Sequence, residues 1–411
     1  MQLSSLPCRD DAPYPAERTG SPRPTLCTRR PVLRGVPPPG RKLRVAIVAP
    51  SRQILGGQAV QAERLIHAWR DDPDVHAWLV PINPHPQRLA PWVMQVRYLR
   101  AAISESMYLP RLAPELARAD VVHVFSRAYT WFLLVSLPAI VAARALRRPV
   151  LLHYHHGEAQ DHLQRSAASR AALAHVDQNI VPSAYLRDVF AAFGLRAHVV
   201  PNIIDTTRFV YRDRAQVAPR LISTRNLDDL YNVACTLRAF QIVQRQRPEA
   251  SLTIVGGGRR EAALRALATD LALSRVQFLG RVTPEAMPHL LDQHDIYIQS
   301  PDVDNVPNSV TEAFASGLPV VATAVGGVPA MTGNGRLALL APANDHEGLA
   351  AQVLRLLADP ALARGLARDA RLAAGDHAWP QVRLEWLRVY AGLRAMRPHQ
   401  GSQPSRQLLE T

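Results

Sequence analysis

Lysine is almost absent from this chain. Lys42 is the only one in 411 residues, although lysine and arginine together number 48. With that single lysine at the edge of the first apolar stretch, no G-x-x-x-x-G-K-[ST] phosphate loop exists. No other lysine is available to form a Schiff base with pyridoxal phosphate. Both absences argue against a P-loop NTPase and against a pyridoxal-dependent phosphorylase. Cysteine is scarce too. Cys8, Cys27 and Cys235 stand without metal spacing, which predicts a reducing compartment, no disulfide and no metal site. No apolar run reaches the ~18 residues of a membrane span. The longest, "WFLLVSLPAIVAA" at 131–143, contains Pro138 and reads as a buried helix. The start of the chain lacks an apolar core behind a basic segment, so no secretory signal is read and a cytoplasmic protein is expected.

What is abundant is arginine. The formal net charge is +14, but the basic residues are scattered singly and are not interleaved with aromatics in runs. That pattern reads first as a solvated surface, second as a weak attraction to anionic lipid or an acidic substrate, and not as a nucleic-acid partner. The 47% hydrophobic content is that of a globular chain long enough for two cores.

Residues 1–41 are rich in Pro, Arg and Ser and end in "VPPPG", which predicts a disordered extension or a start placed upstream of the true one. Order is expected from "KLRVAIVAP", a β-branched strand leading through "ILGGQ" into an amphipathic helix. "HAWLVPI", "DVVHVFS", "PVLLHYH" and "NIVPS" continue as strands between helical stretches. The pattern restarts after "AHVVPNIIDTTRF" with "RLIST", "SLTIVGGG", "VQFLG", "DIYIQSP" and "PVVAT". The expectation is α/β: two Rossmann-like domains, 42–197 and 198–379, facing across a cleft, with a flexible tail at 397–411. In such open sheets ligands bind beyond the carboxyl ends of strands.

The stretch "SPDVDNVPNSVTEAFASGLPVVAT" at 300–323 holds two acids, Asp304 and Glu312, around a helix start. "SVTE" is a capping-box pattern with Ser309 as N-cap and Glu312 reaching back, and Glu312 as a mere cap is one open reading. The other follows from position: the helix begins directly after a strand, so its free amides and dipole face the cleft and suit a phosphate. Downstream of another strand, "HYHHGEAQDH" puts His153 and His155 on one face, without the third ligand a metal would need. Gly56 and Gly57 permit close backbone approach or serve a plain turn, and "VGGG" at 256–258 lacks a dinucleotide fingerprint.

These segments resemble glycosyltransferase family 4, a group 1 type with the GT-B fold, whose signature is written E-x7-E before A-x-A-x-G-x-P-V-V. The likeness runs through "VPSAYLRDVFAAFGLRAHVVPNIIDTTRF", "SLTIVGGGRREAALRALA", "VQFLGRV", "AFASGLPVVAT" and "VATAVGGVPAM", all in family order. "WPQVRLEWLRVYAGL" resembles the closing helix, expected at 380–396, that returns to the first domain. The resemblance implies a retaining, metal-free transferase using a nucleotide-sugar donor and a glycan or lipid-linked acceptor, as in surface polysaccharide or glycoconjugate synthesis. It gives the ribose hydroxyls to Glu312 and the donor sugar to Asp304, with the amides of Asn305 and Val306 and the helix start at Ser309 beside it. It gives the diphosphate to Arg225 and the close loop to Gly57. It gives His155 the donor sugar or the alignment of the acceptor, with Glu158 and Asp161 toward the acceptor. Two departures stand out. Asp304 is one methylene shorter than the usual Glu, and Leu230 or Tyr231 occupies the place of a diphosphate-binding lysine, unless Arg259, Arg260 or Arg281 replaces it. A second expectation is therefore a catalytically weak or inactive homologue that binds without turnover. A glycoside hydrolase, which also needs two carboxylates, is the further rival. A helix carrying Trp92, Val96 and Leu99 on one side suits a core face, or peripheral contact with the inner face of a membrane.

Overall fold

The computed structural model describes residues 41–51, 57–83 and 97–396, with side chains in the last stretch described from residue 106. Strands β1 (Leu43–Ala49), β2 (Val75–Pro81), β3 (Val121–Phe125), β4 (Val150–His153), β5 (Gln178–Val181) and β6 (His198–Val199) form one sheet in the order β2-β1-β3-β4-β5-β6. Strands β7 (Arg220–Thr224), β8 (Ser251–Val255), β9 (Val276–Gly280), β10 (Ile296–Gln299), β11 (Val320–Thr323) and β12 (Leu339–Ala341) form a second in the order β12-β11-β10-β7-β8-β9. The pairings in both sheets are parallel. Central strands such as "VVHVF" and "IYIQ" are buried along their whole length, which is why they read as largely apolar runs and not as alternations, with His123 and Gln299 the buried polar members.

The strand orders locate the site. In the first sheet the order reverses between β1 and β3, and in the second between β7 and β10. Those are the switch points at which loops part to opposite faces and leave a crevice. Gly57, Arg225 and the 300–308 loop follow β1, β7 and β10 respectively, so the chain-order argument places them at the two switch points.

Several expectations need correction. The expected boundary at 197/198 cuts the first sheet, because β6 pairs with β5 through Ile180–His198 and Val181–Val199. The 131–143 run is not a buried helix. Phe132–Ser136 is a π-helical turn and Leu137–Ala145 an α-helix, with Trp131, Leu133, Leu134 and Val141 exposed while Phe132, Val135, Ala139, Ile140 and Ala143 are buried. A segment apolar all round packs only one face on a sheet, and Pro138 stands in its first turn, where a missing N–H costs nothing. The expectations for 1–41 and 397–411 lie outside the described residues, except that Arg41 pairs with Asp120. So do Gly56, Trp92 and Val96, and the side chain of Leu99.

The closing helix, Trp379–Ala395, lies on the first half. Trp69 meets Trp379 edge-on at 4.5 Å, Arg383 pairs with Asp72 and Asp74 at 2.6 Å, and Tyr390 hydrogen-bonds His123 at 2.8 Å. The helix that carries both Ser309 and Glu312, Asn308–Ala315, is anchored at its far end by Arg214. That buried guanidinium donates to the carbonyls of Ser316 (3.0 Å), Gly317 (2.8 Å) and His294 (3.0 Å). These are carbonyls a helix end otherwise leaves unpaired. Burial pulls the pKa of Arg214 down to about 10, with Asp295 at 3.4 Å opposing the drop, so it remains charged at neutral pH.

Candidate active site

A cleft of about 490 Å³ opens between the two halves, and Gly57, His155, Glu158, Arg225, Asp304, Asn305, Val306, Ser309 and Glu312 all line it. Asp161 does not. It is turned to Tyr129, whose hydroxyl donates to it at 2.8 Å, and to Arg165 at 2.7 Å, away from the cleft wall.

Two helix starts converge here. Gly57 opens the helix Gly57–Ala68, and a Cβ on it would stand 3.8 Å from Nδ2 of Asn308, which opens the second helix. Neither first turn holds an acidic residue. The capping box does not form. Pro307 is the N-cap and its ring offers no acceptor, Ser309 lies inside the helix, and Glu312 turns to Arg64. The Pro307 carbonyl takes the amides of Val310 (3.1 Å) and Thr311 (3.3 Å), which leaves those of Asn308 and Ser309 at the helix start for a ligand. The aligned peptide dipoles then favour negative charge between the two helix starts.

Both acids are held by arginines. Arg225 Nη2 donates to Asp304 Oδ2 at 2.6 Å and Nη1 to Ser309 Oγ at 3.1 Å, while its guanidinium lies over the Tyr231 ring at 4.2 Å. Its Nε is buried and has no partner, a donor left over for an oxygen of a ligand. Burial works to lower the pKa of Arg225, but the charge and hydrogen bond of Asp304 together with Tyr297 and Tyr231 outweigh it, and the net movement is upward. Glu312 Oε1 accepts from Arg64 Nη2 at 2.6 Å. The Asn305 amide is spent on Asp304 Oδ1 (2.9 Å), and the Asn305 side chain accepts from Ser183 of the first half (2.5 Å). Of the two amides expected beside the sugar, the one at Asn305 is therefore already paired.

Among the cations proposed for the missing lysine, Arg259 pairs with Asp228 at 3.5 Å and Arg260 with Asp229 at 3.2 Å, and neither lines the cleft. Arg281 does line it, as do Arg64 and Arg208. Leu230 and Tyr231 both reach the wall, so the lysine position is filled by apolar and aromatic surface.

His155 is half-buried, stacked on Phe125 at 5.3 Å, and its Nε2 is shut from solvent without a partner. Burial pushes its pKa down to about 3, so the ring is neutral and can exchange hydrogen bonds but not supply a cation. The ring of His153 lies 4.0 Å from it, but its Nδ1 bonds to Nε2 of His123 at 3.2 Å, directed into the core. Among the described residues no group of three His, Cys, Asp or Glu side chains converges as a metal site.

These buried imidazoles make stability acid-sensitive. A histidine whose folded pKa lies below its unfolded 6.5 binds a proton more readily when unfolded, so stability falls as pH drops through 6.5. For His155 (about 3) and His162 (about 4, also lowered by burial), the loss at pH 5 is about 2 kcal/mol each, from 1.36 kcal/mol per pH unit. Urea midpoints at pH 7 and pH 5 check this: a marked drop is expected, and equal midpoints would refute it.

Glycines set the loops behind the acids. Gly326 (φ +52°) and Gly327 pass against the backbone of Asp304 and Asn305, where a Cβ on either would overlap a carbonyl oxygen. Gly256 (φ +143°) and Gly258 do the same against Arg225 and Leu227, so the "VGGG" turn supports the arginine's loop. Gly326→Ala should cost about 1–3 kcal/mol by overpacking and also displace Asp304, lowering kcat/KM about tenfold. Denaturation and steady-state kinetics on the same preparation test this; an unchanged midpoint would contradict the close packing. Arg64, which donates to Glu312, and Gln61 and Asn202, which donate to Asn308 Oδ1 at 2.9 and 3.2 Å, are site-building residues with no signal in the sequence. Arg64 and Glu312 are 248 residues apart, and no local pattern signals such a contact.

Two parallel α/β halves, with charged residues of both converging on one cleft, define the two-domain glycosyltransferase class called GT-B. Residues 40–208 match the family described as Glycosyltransferase Family 4, and residues 218–359 match that described as Glycosyl transferases group 1. A glycogen synthase of Mycobacterium tuberculosis is 28% identical over 328 residues, covering 75% of this chain and 77% of that enzyme. A GDP-mannose-dependent monoacylated alpha-(1-6)-phosphatidylinositol monomannoside mannosyltransferase of Corynebacterium glutamicum is 34% identical over 174 residues, 41% of this chain and 42% of that one. In fold, sucrose-phosphate synthase from Thermosynechococcus elongatus superposes with a TM-score of 0.68 at 19% identity, over 87% of this chain and 100% of the other. Anabaena HepE in complex with UDP and glucose gives 0.65 at 16% identity, over 84% and 99%. The chain belongs to the family 4, group 1 glycosyltransferases and is a glycosyltransferase.

Proposed function

We propose that this enzyme moves a sugar from a nucleoside diphosphate sugar to a glycan or lipid-linked acceptor, with retention of anomeric configuration and without a metal. The observation that carries the reading is the pair of acids, Asp304 and Glu312, set beside two converging helix starts and each matched with an arginine. A ribose diol donates to Glu312. The diphosphate settles at the uncapped helix start and draws Arg225 away from Asp304, because a diphosphate carries more charge than one carboxylate. Asp304, released, stands against positive charge growing at the anomeric carbon. Fixed charge that acts more strongly there than in the ground state raises the rate. His155, kept neutral, contacts the donor sugar from the cleft wall. Glu158, on the cleft wall, is the residue we assign to the acceptor, whereas Asp161 accepts from Tyr129 and takes no direct part.

The names of the relatives support nucleotide-sugar chemistry: one is GDP-mannose-dependent, and HepE is recorded with UDP and glucose. The test is nucleoside diphosphate release from UDP-, GDP- and ADP-sugars with glycan and lipid-linked acceptors, followed by assignment of the product anomer. Release stimulated by acceptor and a retained anomer are expected; an inverted product would overturn the retaining step. The absent lysine and the pre-existing Arg225–Asp304 pair favour one second reading, binding without turnover, which tight nucleotide binding with no release would support.

Peripheral membrane contact belongs to the same proposal. Among the described residues no helix is long and apolar enough to cross a membrane. Trp131, Leu133 and Leu134 nonetheless stand exposed on the π-helical turn just after Tyr129. Aromatic and aliphatic side chains so placed suit the interfacial zone of a bilayer. Flotation with anionic liposomes at low salt should carry the protein upward, and Leu133→Ser with Leu134→Ser should reduce it; no flotation at low salt would end the idea.

A further inference from the structure

Glu312 is held from across the cleft. The helix Gly57–Ala68 of the first half presents Gln61 and Arg64, three residues apart and therefore on one face. Arg64 Nη1 donates to the carbonyl of Ile203 (3.2 Å), on the segment joining the two sheets, and Nη2 to Glu312 Oε1 (2.6 Å). Gln61 repeats the arrangement one turn earlier: Nε2 donates to the Ile203 carbonyl (3.0 Å) and to Asn308 Oδ1 (2.9 Å), and Oε1 accepts from the Ile203 amide (2.9 Å). The pair is enclosed, with side chains 18% and 13% exposed for Arg64 and Glu312.

We propose that Arg64 is a positioning residue for donor binding. It fixes the Glu312 carboxylate by one oxygen and leaves the other, Oε2, for the ligand, so the ribose end of the site is complete only with the two halves seated together. Three features single out Arg64 for this work. Its second hydrogen bond, to a main-chain carbonyl, fixes the guanidinium independently of Glu312. Its planar fork holds both bonds in one fixed geometry, which a freely rotating ammonium does not. Its partner acid is one turn from the open helix start, so any rotation of the carboxylate changes what a ribose meets there. The inference rests on the reading of Glu312 as the ribose ligand.

Calorimetric titration of UDP, GDP and ADP into the full chain tests it, with wild type, Arg64→Ala, Arg64→Lys, Glu312→Ala and the Arg64→Ala/Glu312→Ala double variant. Arg64→Ala should weaken the best-bound nucleotide about tenfold, the effect of one charge-assisted contact. Arg64→Lys should fall between it and wild type. Removing Arg64 in the Glu312→Ala background should change little, because the residue acts through Glu312. In turnover the loss should appear in the donor KM, with kcat within about twofold. If wild type binds and Arg64→Ala binds equally well, the inference fails while the reading of Glu312 stands. If the two losses simply add, Arg64 acts by another route and the inference also fails. If wild type binds none of the three nucleotides, the reading of Glu312 fails and takes this inference with it. Should Arg64→Ala not fold, Arg64→Lys decides: binding equal to wild type overturns the proposal.

Discussion

Arg225→Ala should lower kcat/KM for sugar transfer by about 10²–10³, the range found when one preorganised donor to developing charge is removed. The guanidinium is tied at once to Asp304, to Ser309 at the helix start and to the Tyr231 ring. With the lysine position taken by Leu230 and Tyr231, Arg225 is the arginine set against both Asp304 and the helix start, so the loss should fall mainly on kcat. Arg225→Lys should recover only part of the activity. A lysine restores charge but not the fork that reaches Asp304 and Ser309 together. Steady-state kinetics with varied donor decides the matter: a loss under threefold would mean that Arg281 or Arg208, also on the cleft wall, carries the diphosphate instead.

Asp304→Asn keeps the shape of the side chain and removes its charge. It should lower kcat by about 10²–10³ and leave the donor KM within a few fold, the signature of an interaction made in the transition state. The substitution also frees Arg225 from its 2.6 Å partner, so nucleoside diphosphate should bind as well as in wild type or better. Measuring product inhibition by free nucleotide alongside kcat separates the two effects. Retained kcat in Asp304→Asn would remove this carboxylate from the chemistry and revive the reading of binding without turnover.

Much of the architecture is written locally. Strands buried on both faces are largely apolar, and "KLRVAIVAP", "DVVHVFS" and "DIYIQSP" show it, with His123 and Gln299 as buried polar exceptions. Glycine and proline then mark where strands hand over to helices. Asp304, Glu312, Ser309 and Arg225 come from two switch-point loops of one sheet, so their proximity follows once the strand order is guessed. Other features depend on geometry that no window of sequence contains. Ser309 satisfies the capping-box pattern, yet Pro307 opens the helix and the serine serves Arg225. Asp161 sits in the same short stretch as His155 but turns to Tyr129, because the helix begun at Ala159 carries it off the cleft. Arg64 looks like one surface arginine among many, and only the approach of the two halves gives it Glu312. Gly326 and Gly327 were visible as a motif, while their reason, the carbonyls of Asp304 and Asn305 a contact away, was not.

At the centre of this account is an activated sugar gripped by its nucleotide at Glu312. A ligand that binds only the folded state raises the unfolding midpoint. A thermal unfolding series with UDP, GDP and ADP and their hexose conjugates therefore addresses it most directly, run on wild type and on Glu312→Ala. At least one nucleotide should raise the wild-type midpoint by several degrees, and Glu312→Ala, folded and equally stable when empty, should lose most of that rise. A wild-type midpoint indifferent to every nucleotide, or a Glu312→Ala midpoint that rises as far as wild type, would contradict it.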